Sequence, residues 1–224
     1  MLAVETVANS YALAGVQQPS GSVQLKVPQS TSPGIASSPP PPGGFRPPPA
    51  RCWRAMSTVE PSPARDAASA AAVALIEPGT TIGLGSGRAV WRTVERIAER
   101  WPDGPPLRAA VASELTRARA EAAGIAVVEL DGTFALDLAL DGADEVDPEL
   151  RLIKGGGGAL LREKIVVAAA RRFVVVAETA KRVERLGEGF RLPVEVARFA
   201  WRDTARRLAP LFGAVELRHA GDGA

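Results

Sequence analysis

The chain has 224 residues, 46% of them hydrophobic, enough for a real core in one domain or two small ones. Its formal charge of +2 arises from lysines and arginines interspersed with acids, with no basic stripe or aromatic-rich strand, which argues against a nucleic-acid partner. A single cysteine, Cys52, and a single histidine, His219, exclude an internal disulfide framework and argue against a Cys/His metal centre or nucleophile pair, and no apolar run approaches the roughly 18 to 20 residues that cross a bilayer.

The first basic residue, Lys26, follows Glu5, so the amino terminus carries neither the charged start of a secretory signal nor the Arg-rich character of a transit peptide. The expected compartment is the reducing cytoplasm. Residues 18–50 are dominated by Pro, Ser and Gly, with Pro39, Pro40, Pro41 and Pro42 in a row, a composition that cannot bury enough surface to offset chain entropy. Residues 1–60 are therefore expected to form a disordered tail, a reading favoured over a polyproline ligand for a recognition domain. Met56 offers a second, more ordinary start.

Order is expected from Arg65, where helical spacing runs to Glu77 and is closed by Pro78-Gly79. A strand at 80–84 leads into the turn Gly83-Leu84-Gly85-Ser86-Gly87, and Val90, Val94 and Ile97 mark the apolar face of a helix over 89–100. A strand at 107–111, a helix at 114–123 ended by Gly124, and a strand at 125–130 repeat the unit. Leu138, Ala139 and Leu140 belong to a buried strand ending at Asp141; a helix over 159–171 and an apolar, β-branched strand at 173–176 follow. Such alternation predicts an α/β fold for residues 61–192, a Rossmann-like, mostly parallel sheet with helices on both faces. Beyond it, an extended piece at 193–196, a helix at 199–212 and a strand at 214–217 read as the start of a small α+β domain over 193–224 that breaks off.

Chemistry gathers at the strand ends, where ligands bind in open α/β sheets. The first glycine turn sets backbone N–H groups and the Ser86 hydroxyl at a helix start, which suits an anion; its G-x-G-x-G spacing differs from the dinucleotide fingerprint. Ser113 and Thr116 open the next helix, as an N-cap or as further hydroxyls. Asp141-Gly142-Ala143-Asp144 places two acids close enough to ionise unequally. Lys154 and the run Gly155, Gly156, Gly157 and Gly158 follow; four glycines carry a heavy entropic cost, whose usual return is close approach of backbone N–H groups to a ligand. Glu163 lies early in the next helix, where the dipole favours a carboxylate and the side chain projects back toward the glycines. Lys181 stands after the strand at 173–176. An anion cradle, a base, further acids and a lysine, with no metal ligands and no cofactor motif, suit proton transfer beside a carbonyl in a phosphorylated small molecule.

These residues, DGADEVDPELRLIKGGGGALLREK with AETAKRVERLG and FRLPVEV, closely resemble the A type of ribose-5-phosphate isomerase, and the resemblance covers 65–217. It implies interconversion of ribose 5-phosphate and ribulose 5-phosphate in the non-oxidative pentose phosphate pathway, without metal or other cofactor, in a homodimer or homotetramer. It also implies that Glu163 is the proton acceptor, that Asp141 and Asp144 hold sugar hydroxyls and assist ring opening, that Lys154, Gly155, Gly156 and Gly157 bind the sugar and steady the enediolate oxygen, and that Lys181 is a further substrate-binding lysine. Ser86, Gly87, Arg88 and Ala89, with Gly142 and Ala143, complete the implied substrate contacts.

Two departures stand out. The family's first turn reads glycine, threonine or serine, glycine, serine, threonine, whereas Arg88-Ala89 here removes two hydroxyls; a guanidinium can bind phosphate in their place. Family members also continue beyond this carboxyl end. The competing readings are a non-catalytic sugar-phosphate-binding module, an inactive shortened copy, and a related amino-sugar phosphate deaminase or coenzyme A transferase; the paired DGADE and KGGGGALLREK segments speak against the last two.

Overall fold

A computed structural model of the chain describes residues 3–7 and 61–217. The strands are β1 (Ala3–Val7), β2 (Thr81–Leu84), β3 (Arg108–Val111), β4 (Ala126–Val127), β5 (Leu138–Asp141), β6 (Glu145–Val146), β7 (Leu152–Ile153) and β8 (Arg172–Val176). The helices are α1 (Pro63–Ala74), α2 (Arg88–Arg100), α3 (Glu114–Ala122), α4 (Leu160–Ala168) and α5 (Trp201–Phe212), with a single 3₁₀ turn at Thr179–Lys181. The main sheet has the order β1-β8-β5-β2-β3-β4; its five strands from β8 to β4 are parallel and β1 joins antiparallel to β8. From β2 the chain steps outward through β3 to β4, then returns to the other side of β2 with β5 and β8. The direction of winding therefore reverses between β2 and β5, and the crevice beyond their C-terminal ends is where this architecture places ligands.

Alternation along each strand divides the core. Ile82, Leu84, Leu138, Leu140, Val174 and Val176 face α1, α2 and α3, packing on Ala72, Val90, Val94, Ile97 and Ala120. On the other face Ala110, Ala139, Phe173 and Val175 meet Val166 and Val167 of α4. Each Val or Leu fully removed from water contributes about 1.5–3 kcal/mol, so two such layers hold the sheet. A Cβ on Gly83 would stand 2.5 Å from Val166 Cγ1, so the missing side chain sets how closely α4 approaches β2.

The helix ends follow from local chemistry. Ser62 caps α1 by accepting from the Arg65 N–H at 3.2 Å, with Pro63 in the first turn, so the helix starts two residues before the expected position. It stops at Ala74 rather than Glu77: Pro78 has no N–H to extend the ladder and disfavours helix at Glu77, and the Arg100 guanidinium donates to the end carbonyls of Val73 and Ile76. Likewise α4 runs from Leu160 to Ala168 inside the expected 159–171, since the Ala169 and Ala170 N–H groups bond back to Ile165 and Val167 while Arg171 N–H goes to Leu136.

Several expectations are corrected. Ala3–Val7, expected within a disordered tail, form β1 because the β-branched run AVETV finds a free edge on β8. The rest of that tail, Met56 and residues 218–224 lie outside the described residues. The strand expected at 125–130 contracts to Ala126–Val127. The β6–β7 hairpin was not anticipated, and the strand expected at 214–217 is absent: these residues are exposed and pair with no strand among the described residues. Helix α5 begins at Trp201, two residues later than expected, and buries none of its side chains. No helix among the described residues is long and apolar enough to cross a membrane.

Candidate active site

The β5 strand carries Asp141 to its last position, where the residue is 0% exposed. Such a carboxylate survives in a dry place only if its surroundings answer its charge. Here Oδ1 accepts from the Gly142 N–H at 2.7 Å, Oδ2 lies 2.9 Å from Lys154 Nζ, and the Ser86 N–H donates to the same group. Gly85 makes this possible: a Cβ there would overlap the Asp141 carboxylate.

Lys154 comes from the end of β7 and joins the acids. Its ammonium donates to the Gly142 carbonyl at 2.6 Å and lies 3.4 Å from Glu163 Oε2. Burial opposes its charge, but the Asp141 and Glu163 carboxylates overcome that cost and hold the lysine above its ordinary pKa. Glu163 is 4% exposed on α4, facing the sheet. Burial, then the nearby Asp141 charge, pushes its pKa up to about 7 against the pull of Lys154. Asp141 is also displaced upward, chiefly by burial. One ammonium thus serves two buried carboxylates, and the pair holds a proton near neutrality, the condition under which a general base works best.

The glycine run forms the next wall. Gly156 N–H donates to Asp144 Oδ2 at 2.8 Å, and a Cβ on Gly156 would meet both Asp144 and Phe190. Gly155 has φ of 99°, a left-handed conformation that admits few other residues, and packs against Leu160 at the start of α4. Gly157 is exposed in open space. On the opposite side Ala89 lies against Gly142, and Ala143 packs on the α4-side core. The structure thereby brings together Ser86, Ala89, Asp141, Gly142, Asp144, Lys154, Gly155, Gly156 and Glu163. Gly87 and Arg88 open α2 beside them, with the Arg88 side chain exposed. Lys181 ends the 3₁₀ turn, where its charge acts on Glu145; neither Arg88 nor Lys181 forms an ion pair with the central cluster among the described residues.

One group beyond the expected set shapes the site. Glu145, buried on β6, accepts from the N–H groups of Gly187 (2.6 Å), Gly189 (2.6 Å) and Phe190 (2.7 Å), which hold its pKa below the ordinary value and anchor the loop that lays Phe190 on Gly156. Ser113 caps α3 as expected, and its hydroxyl also joins Ser86 to Thr116. No three His, Cys, Asp or Glu side chains among the described residues are grouped to hold a metal ion.

Residues 109–224 match the family described as ribose 5-phosphate isomerase A (phosphoriboisomerase A). The ribose-5-phosphate isomerase A of Roseiflexus sp. (strain RS-1) is 51% identical over 162 residues, 71% of this chain and 70% of that protein. That of Chloroflexus aurantiacus is 46% identical over 170 residues, 75% of this chain and 71% of that one. Among solved structures, the Neisseria gonorrhoeae ribose 5 phosphate isomerase A superposes with a TM-score of 0.65 at 36% identity, covering 69% of this chain and 68% of that one. A D-ribose-5-phosphate isomerase in complex with phospho-erythronic acid gives 0.67 at 33% identity, covering 71% and 72%.

Proposed function

The chain belongs to the ribose 5-phosphate isomerase A family, and we propose that it interconverts D-ribose 5-phosphate and D-ribulose 5-phosphate by proton transfer through an enediolate. The observation that carries this reading is Glu163, a buried carboxylate poised near pH 7 within reach of the partly buried Lys154 ammonium. Family membership supports it over a non-catalytic binding module.

In the aldose, Glu163 takes the proton from C2 and the C–H electrons form the C1–C2 double bond of the enediolate. Negative charge arises on the former carbonyl oxygen at C1, where the Lys154 ammonium offsets it. Glu163 then returns its proton to C1, the hydroxyl proton passes from O2 to O1, and C2 becomes the carbonyl. Ring opening must come first; it takes a proton from the anomeric hydroxyl and gives one to the ring oxygen. Asp141, with its raised pKa and its place beside Lys154, and Asp144, on the wall by Gly156, suit that exchange and the holding of sugar hydroxyls. The phosphate would lie at the start of α2, on the backbone of Gly87, Arg88 and Ala89 with the Arg88 guanidinium.

This chemistry calls on no metal or cofactor, and the reading extends to a homodimer or homotetramer in the cytoplasm. The deciding experiment is turnover of ribose 5-phosphate by the purified chain in the presence of a chelator, beside Glu163→Gln. Loss of about 10²–10⁴-fold in the variant supports the assignment; a folded wild-type chain without turnover refutes it.

A further inference from the structure

We propose that Ser113 and Thr116 are positioning residues that fix the Ser86 hydroxyl as a hydrogen-bond acceptor, so that Ser86 reads a hydroxyl of the sugar and not its phosphate. The inference rests on the sugar-phosphate substrate proposed above.

It follows from counting protons along one chain of hydroxyls. Thr116 is fully buried beneath the glycine turn, and its Oγ1 lies 3.0 Å from the Gly85 carbonyl oxygen. A carbonyl only accepts, so Thr116 commits its single proton there. Both remaining lone pairs of Thr116 are then filled by donors: Trp91 Nε1 at 3.2 Å and Ser113 Oγ at 2.9 Å. Ser113 thereby commits its own proton to Thr116. Its lone pairs receive the Thr116 N–H at 3.2 Å and Ser86 Oγ at 3.0 Å. The last contact has only one consistent direction: Ser86 must donate to Ser113.

The consequence is at the exposed end of the chain. Ser86 is half-buried in the turn between β2 and α2, its N–H directed to Asp141 and its hydroxyl proton directed inward. What it offers the crevice is lone pairs. A phosphate dianion brings only acceptors and gains nothing from them, whereas a sugar hydroxyl donates. The phosphate is left to the backbone N–H groups at the start of α2 and to Arg88.

The test compares affinity for ribose 5-phosphate with competitive inhibition by inorganic phosphate, on the full chain. Ser86→Ala is expected to raise KM for ribose 5-phosphate about fivefold, the loss of one ordinary hydrogen bond, while Ki for inorganic phosphate stays within about twofold. Ser113→Ala releases the Ser86 proton toward the crevice, so KM rises while phosphate inhibits more tightly; Ser113→Thr keeps the wild-type values of both. A capping role for Ser113 alone would lower the melting temperature and leave the ratio of KM to Ki unmoved. Parallel rises of KM and Ki in Ser86→Ala, or an unchanged ratio in Ser113→Ala, overturn the proposal. Should Ser113→Ala not fold, Ser86→Ala in its half-exposed turn still decides. A wild-type chain that binds but does not turn over ribose 5-phosphate would refute the isomerase reading, and the same two ligands titrated by calorimetry would still decide the direction of Ser86.

Discussion

Glu163 lies 3.4 Å from the Lys154 ammonium and nevertheless holds its proton up to about pH 7. Burial and the Asp141 charge outweigh the lysine. A base acts only when deprotonated, so kcat/KM is expected to rise with pH through about 7 and level above it. A rate profile from pH 5 to 9 checks this; an acid limb near the ordinary carboxylate value of 4.5 would contradict it.

The neighbours of Glu163 should move that limb in opposite directions. Asp141→Asn removes a charge that raises the Glu163 pKa, and Lys154→Met removes one that lowers it. The residual activity of Asp141→Asn should therefore have its acid limb below that of wild type, and that of Lys154→Met above it, each on a much reduced rate. Shifts in the same direction would mean the three groups do not share one electrostatic balance.

The same raised pKa has a stability consequence of definite sign. Between 4.5, its ordinary value, and about 7 the folded chain binds more protons at Glu163 than the unfolded chain does. Its contribution is fully present below the first value and is lost as pH rises through the second. Melting temperatures of wild type and Glu163→Gln between pH 4 and 8 should thus diverge with rising pH, the variant gaining relative stability.

Gly83 and Val166 are expected to couple. Adding a methyl at 83 drives it into Val166 Cγ1 and Leu136 Cδ1, so Gly83→Ala should destabilise by about 1–3 kcal/mol, the range for overpacking. Val166→Ala removes the obstructing methyls, and the double variant should be less destabilised than the sum of the two. Denaturant titration of the cycle gives the coupling; strict additivity would show that α4 yields freely.

Glu145 should act as the latch of its loop. Its pKa is lowered, first by the Gly187 N–H, so the stability it contributes is present above the ordinary carboxylate pKa and disappears as pH falls through the lowered one. Glu145→Ala frees three N–H groups in 187–190, and limited proteolysis should cut there faster than in wild type while the sheet stays protected. Glu145→Gln keeps an acceptor for Gly189 and Phe190 but turns a donor toward Gly187, and should fall between the two.

The sheet was legible because its signals are local and repeated. The glycine turn after β2, the apolar run ending at Asp141 and the β-branched β8 each announce themselves within a few residues. The two-residue strands β6 and β7 do not, since Glu145-Val146 and Leu152-Ile153 are too short for any periodicity to register. Residues 214–217 carry strand propensity, yet they find no strand to pair with among the described residues, so propensity alone did not prevail. In the site, Asp141, Lys154 and Glu163 were legible as residue types at strand and helix ends. The anchoring by Glu145 was not: its partners are backbone N–H groups 42 to 45 positions away, which leave no mark in side-chain identity. The direction of the Ser86 hydroxyl likewise depends on a carbonyl, Gly85, that every residue possesses.

Gly83 lies on β2 and Gly85 just past its end, the first admitting α4 with its Glu163 and the second admitting the carboxylate of Asp141. The spacing of Glu163 and Asp141 is therefore set by atoms that are missing. Alanine scanning measures a residue by subtraction, and at these two positions it would add matter instead; a loss of activity there would report the intrusion of a methyl, and the survey would score as contributors two residues whose whole part is to stay out of the way.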